Sequence, residues 1–194
     1  MGMPGTKSPK RLRVVVGSAK GGVGKTTVAA HLARLLNAHL YDLDPEHGTR
    51  ALAEHDLSIR VQAEVPPVRS GERVVLDVPA NQANNAGVLK RAAADATHVL
   101  IPCLPGDLEM DRLENTLLLL AGQTQAKIGV ILNRAGRDNT TAETLAALEA
   151  LPALVGVPFT VAGVIPASVR FPRALVNGFQ GGTLTAFEEI RTWL

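Results

Sequence analysis

The chain has 194 residues, 46% of them apolar and 3% aromatic, with a formal net charge of +2. That length suits one α/β domain with a core built mostly from Ala, Val and Leu. The single cysteine, Cys103, excludes a disulfide framework or an intrachain thiolate cluster and fits a reducing, cytoplasmic setting; no apolar run reaches the roughly 18 residues of a membrane span, and so small a net charge does not by itself call for nucleic acid.

In chain order, the basic Gly/Pro-rich stretch over residues 1–11 reads as a flexible tail, followed by a single domain over 12–194. "RLRVVVGSA" reads as a strand and Lys25 to Asn37 as a helix with apolar residues at helical spacing. "HLYDLD" is a second strand; Ala51 to Gly71 is hard to read, with a short strand around Val61 to Val65. "RVVLDVP" is a further strand, "GVLKRAAADA" a helix and "THVLIPCL" a strand that carries Cys103 into the core. "DLEMDRLENTLLLLAG" is a helix opened by Asp107 and closed near Gly122. "KIGVILNR" is a strand, and "NTTAETLAALEAL" a helix with Thr140 and Glu143 as a capping box. "FTVAGVIP" is the last strand, and "TLTAFEEIRTWL" a terminal helix whose Leu184, Phe187, Ile190 and Leu194 face the core. Strands apolar on both faces and separated by helices imply a doubly wound, mostly parallel sheet.

Between the first strand and helix stands Gly17 to Thr26, "GSAKGGVGKT". The usual phosphate loop is G-x-x-x-x-G-K-[ST], and here Ala19 occupies the position of its first glycine. The physics survives: Gly21, Gly22, Val23 and Gly24 can turn backbone N–H groups inward, and the helix that opens at Lys25 adds its positive end. Lys25 is placed to reach the β- and γ-phosphates and the Thr26 hydroxyl to bind Mg²⁺, with Thr27 following in the helix. Lys20 is a second lysine that such a loop does not need. Three acids end strands on the side where open α/β sheets bind ligands. Asp42 and Asp44 are two apart, so an extended chain sets both on one face; Asp77 ends the "RVVLD" run.

"KGGVGKTT" followed by "DLDP" resembles the deviant-loop ATPases of the ParA/MinD group, with "VVLDVPA" and "GVIPASVRFPRALVNG" in support. The resemblance runs from about Arg13 to Phe179 and implies a P-loop NTPase fold, with ATP and Mg²⁺ as ligands and slow hydrolysis. It also implies a nucleotide-sandwich homodimer in which Lys20 serves the other subunit's phosphates. Asp44 would orient the attacking water, Asp42 would lie near the magnesium shell, and Asp77 would hold Mg²⁺ through water. Asn133, Pro166, Ala167 and Val169 match the family's adenine-side positions. The chain departs from the pattern at "DPEHGT" (family "DPQGN"), at Pro79-Ala80 (family "PP") and at "RFPRALV" (family "RLSEAPS"), which puts partner contacts in question.

Within the group, one cysteine excludes the iron–sulfur members, and Tyr41 alone excludes the tyrosine kinases with tyrosine-rich tails. The C-terminal segment has too few bases for a membrane-binding amphipathic helix. The short partition ATPases remain. They bind DNA without sequence preference as dimers, answer to a small DNA-binding adaptor protein that stimulates hydrolysis, and work at the bacterial or archaeal nucleoid. Arg170 and Arg173, with Arg134 and Arg137, are the candidate DNA surface. Two alternatives stand beside that reading: an ATP-dependent metabolic synthetase on the same fold, and a protein-only switch.

Overall fold

The computed structural model describes residues 11–44, 58–80 and 86–194. Seven strands, β1 (Leu12–Val16), β2 (His39–Asp42), β3 (Ile59–Val61), β4 (Arg73–Asp77), β5 (His98–Cys103), β6 (Lys127–Ala135) and β7 (Thr160–Pro166), form one sheet in the order β3-β2-β4-β1-β5-β6-β7. Every pairing is parallel, so each crossover must run over a face of the sheet. The helices are α1 (Lys25–Leu36), α2 (Ala86–Ala94), α3 (Asp107–Leu120), α4 (Asn139–Val155), α5 (Arg170–Asn177), α6 (Gly181–Leu184) and α7 (Glu188–Trp193).

Alternation along β1 shows how the sequence makes two layers. Val14 and Val16 pack with Val28, Leu32 and Leu36 of α1, and with Phe171, Phe187 and Ile190. Val15, between them, packs on the other face with Leu89 of α2, Leu113 and Leu117 of α3 and Leu148 of α4. Each fully buried Leu or Phe contributes about 1.5–3 kcal/mol relative to exposure, so the two layers hold the central strands from both sides. The doubly wound expectation is met.

The connections leave β1 toward β2 and β5 toward β6, in opposite directions along the sheet. Such a reversal opens a crevice at the carboxyl ends of the central strands, and the glycine-rich loop lies there. Register makes the acids neighbours: Val16 pairs with Asp77, and Asp42 also pairs with Asp77. Aligned positions on parallel strands project to the same side, so β2 and β4 bring two carboxylates to one edge of the crevice.

Some expectations change. The short strand falls at Ile59–Val61 rather than Val61 to Val65, because it pairs with Leu40–Asp42. The capping box at Thr140 and Glu143 does not form; Asp138 caps α4 by accepting from the Thr141 N–H at 2.9 Å. That helix runs through Pro152 to Val155 and stops at Gly156, φ 68°. The terminal helix is broken into α6, a 3₁₀ turn at Thr185–Phe187 and α7. The break lets Phe187 turn wholly inward and stack on His31 with centroids 4.5 Å apart. Phe187 and Ile190 are buried as expected, whereas Leu184 is only half-buried. The tail over 1–10, the "PEHGT" turn and the first part of the Ala51–Gly71 segment lie outside the described residues.

Candidate functional site

The loop from Gly17 to Gly24 leaves β1 and turns directly into α1. Gly24 is the N-cap at φ 93°, a left-handed conformation that L side chains resist. A Cβ on Gly24 would also meet the Asn133 amide nitrogen at 2.3 Å. The reason for that closeness is a hydrogen bond: Asn133 Nδ2 donates to the Val23 carbonyl at 2.8 Å, with both residues buried. The end of β6 therefore clamps the loop from beside. At the other end a Cβ on Gly17 would fall 2.5 Å from Leu89 of α2. From α3, Thr116 Oγ1 accepts the Ala19 N–H at 3.1 Å.

The functional side chains converge inside this frame. Lys25 is buried and donates from Nζ to the Lys20 carbonyl at 2.8 Å, so its ammonium lies folded over the loop. Burial holds its pKa below the usual lysine value, against the opposing pull of Asp77 and Asp44. Asp77, buried at the end of β4, has its carboxyl pushed up to about 7 by burial. A hydrogen bond from the Thr26 side chain pulls that value down, while the Asp42 charge pushes it up. Asp42 is buried and accepts the Asp44 N–H at Oδ1, 2.9 Å. That bond folds the chain into a tight turn after β2. The stretch from Asp42 to Asp44 is therefore turned rather than extended, yet the charges of both acids reach Asp77, and that of half-buried Asp44 also reaches Lys25.

Thr26, Asp42, Asp44 and Asp77 supply hydroxyl and carboxylate oxygens, the donors that suit Mg²⁺. Burial raises the Asp77 pKa and the neighbouring charges of Asp42 and Asp44 add to the rise, and a divalent cation would offset both. Among the described residues no group of three or more His, Cys, Asp or Glu side chains forms a cage. The protein would thus supply only part of a coordination sphere, as is usual for Mg²⁺ with phosphates and water.

A cavity of about 440 Å³ opens beside the loop, lined by Gly24, Thr27, Asn133, Pro166, Ala167 and Val169. The structure brings together here every residue expected on the adenine side, and adds Arg134, Ser168, Phe171 and Pro172. Asn133 is less free than expected, since its Nδ2 holds the Val23 carbonyl and its Oδ1 accepts the Arg134 N–H at 3.0 Å. Arg134, expected on a basic surface, lines this cavity at φ 56°. Arg170 and Arg173 sit on α5, a helix not expected from the sequence, and line a separate cavity of about 480 Å³ with Asn177, Gln180 and Thr183. Arg137 is exposed. Cys103 is buried in β5, its thiol pushed up to about 12 by burial with help from the Glu109 charge, which makes it a core residue. Sequence reasoning missed Thr116 and Glu109, the polar positions of α3 that touch the loop.

Residues 14–179 match the family model described as the CobQ/CobB/MinD/ParA nucleotide binding domain. Among curated proteins none matches closely enough to count as a relative. Among solved structures, the chain is similar to an aspartate-to-alanine variant of Cyanothece McdA in complex with ATP. That match has 18% identity and a TM-score of 0.73, over 95% of this chain and 96% of the other. It is also similar to a Borrelia burgdorferi protein described as a plasmid partition protein, bound to AMPPNP, with 16% identity and a TM-score of 0.69 over 94% and 98% of the two chains. A third is the septum site-determining protein MinD from Pyrococcus horikoshii with Mg-ADP, at 18% identity and a TM-score of 0.69 over 93% and 94%. At these identities the structural likeness speaks for the fold. No described helix is long and apolar enough to cross a membrane.

Proposed function

The chain belongs to the CobQ/CobB/MinD/ParA nucleotide-binding family, and from that premise we propose that it is an Mg²⁺-dependent ATPase of the ParA/MinD type, a switch rather than a fast enzyme. The reading takes 12–194 as one ATPase domain. The observation that carries it is the meeting of Lys25, Thr26, Asp44 and Asp77 at one mouth of the sheet, inside a loop clamped by Asn133 and Thr116.

Each residue then has a role. The backbone N–H groups from Gly21 to Lys25 and the positive end of α1 take the phosphates. Lys25 exchanges its bond to the Lys20 carbonyl for phosphate oxygens, a stronger charge-assisted partner. Thr26 and Asp77, with Asp42 behind, would hold Mg²⁺, which neutralises charge on the phosphates. Pro166, Ala167, Val169 and Phe171 give the base an apolar wall. Asp44 accepts a hydrogen bond from the attacking water and aims it. With Asp44 as the orienting acid, turnover alone is slow.

Lys20 works in trans, across a nucleotide-sandwich homodimer. Arg170 and Arg173, duplicated by that dimer, bind DNA without sequence preference, and an adaptor protein that binds DNA stimulates hydrolysis; partition or cargo positioning at the nucleoid is the resulting role. Support for the DNA step is the exposure of both arginines on α5. Asp44→Ala tests the catalytic core. Turnover should fall at least about tenfold while ATP affinity stays within about twofold, because an acid that only orients water acts in the transition state. Turnover at the wild-type rate would remove Asp44 from that role.

A further inference from the structure

Lys20 is held within its own subunit. Its ammonium pairs with the carboxylate of Glu109 in the first turn of α3, leaving 28% of the lysine side chain accessible. The same Glu109 oxygen accepts a hydrogen bond from Arg112 Nη1 at 3.0 Å. Two turns further on, Thr116 takes the Ala19 N–H at 3.1 Å. Glu109 and Thr116 are seven residues apart and therefore lie on one face of the helix. That face holds the leading edge of the loop by its backbone at Ala19 and by its side chain at Lys20. Glu109 is 9% exposed, so its carboxylate needs a cation to offset its lost hydration. Two cations compete for it: Lys20 from the loop and Arg112 from its own helix, whose side chain is 47% accessible.

We propose that Glu109 is a positioning residue for Lys20. It is a counter-ion in cis that keeps the lysine on its own subunit until another subunit's phosphates draw it away, and Arg112 is the cation left to Glu109 when Lys20 goes. The proposal rests on the trans role given to Lys20 above. One carboxylate is a weaker partner than a triphosphate, so the exchange runs forward when a sandwich forms and back when it opens. The pair thereby sets the threshold for association without touching nucleotide itself.

The test is sedimentation of the full chain with Mg-AMPPNP, reading the protein concentration at half-association. Glu109→Gln keeps the shape and loses the charge, and should lower that midpoint about three- to tenfold, the net worth of one hydrogen bond. Arg112→Ala should raise it, because Lys20 then has Glu109 to itself. In a Lys20→Ala background, Glu109→Gln should change nothing. A structural role would give both single variants the same sign and would persist without Lys20. The proposal is overturned if Glu109→Gln leaves the midpoint unchanged or raises it, or if its effect survives Lys20→Ala. If Glu109→Gln does not fold, Arg112→Ala decides: a midpoint unchanged or lowered overturns it. Lys20→Ala associating like wild type would instead overturn the trans role, a separate result.

Discussion

Replacing Gly24 with Ala attacks the loop at its tightest point. Two costs are readable. The residue sits at φ 93°, which costs a non-glycine residue about 1–2 kcal/mol. Its new Cβ would stand 2.3 Å from Asn133 Nδ2, so Asn133 must move and its 2.8 Å bond to the buried Val23 carbonyl is lost, worth about 1–3 kcal/mol. Gly24→Ala should therefore destabilise the loop by about 2–5 kcal/mol. Asn133→Ala removes the obstacle and the same bond, at about 1–3 kcal/mol. The two share one interaction, so the double variant should cost less than the sum of the singles by about 1–3 kcal/mol, the worth of the bond counted twice. Urea unfolding of the four proteins gives the cycle, and ATP titration shows how much of the loss falls on the site itself. Strict additivity, or a neutral Gly24→Ala, would refute the claim that β6 clamps the loop through Asn133.

Stability should fall in acid because of His31, fully buried among Phe171, Phe179 and Phe187 with Nδ1 2.7 Å from the Thr27 carbonyl. Burial depresses its pKa to about 4, so between that value and about 6.5 the unfolded chain binds more protons and native stability drops by about 3 kcal/mol as pH falls. His31→Leu should abolish that component. A gap in melting temperature between the two proteins that does not vary from pH 7.5 to 4.5 would contradict it. On DNA, a gel shift with a random-sequence duplex should show retention with ATP, little with ADP or without nucleotide, and a steep loss with salt. Arg170→Ala with Arg173→Ala should weaken retention and flatten the salt slope while hydrolysis persists; no retention under any condition at low salt would favour the protein-only switch.

The parts legible in the sequence have strong local causes. Glycine spacing before Lys25 needs a loop against a helix start, and apolar runs ending in Asp42 and Asp77 need strands that stop at a ligand edge. Partners distant in sequence were not legible. Glu109 reads as an ordinary acid in the first turn of a helix, and only the fold brings it to Lys20. Arg13, in the central strand, is fully buried and donates to Glu72 at 2.9 Å and to the Pro66 carbonyl at 2.6 Å, pinning a segment that lacks any readable pattern. The α4 cap was misplaced because Asp138 and Thr140 both suit a cap, and geometry alone favours the aspartate that reaches Thr141. Helix α5 was missed because it is eight residues long, with Pro172 in its first turn. Asn133 looked free to read a base because a strand-end amide shows nothing in sequence of the carbonyl it already holds.

Isothermal titration of the wild-type chain and Lys25→Ala with ATP, with and without Mg²⁺, tests the central claim most directly. Wild type should bind one ATP per chain, more tightly with Mg²⁺. Lys25→Ala should lose at least about a hundredfold in affinity, since the buried ammonium is the main protein charge offered to the phosphates. Absence of ATP binding by the wild type in the presence of Mg²⁺, or unchanged affinity in Lys25→Ala, would contradict the account.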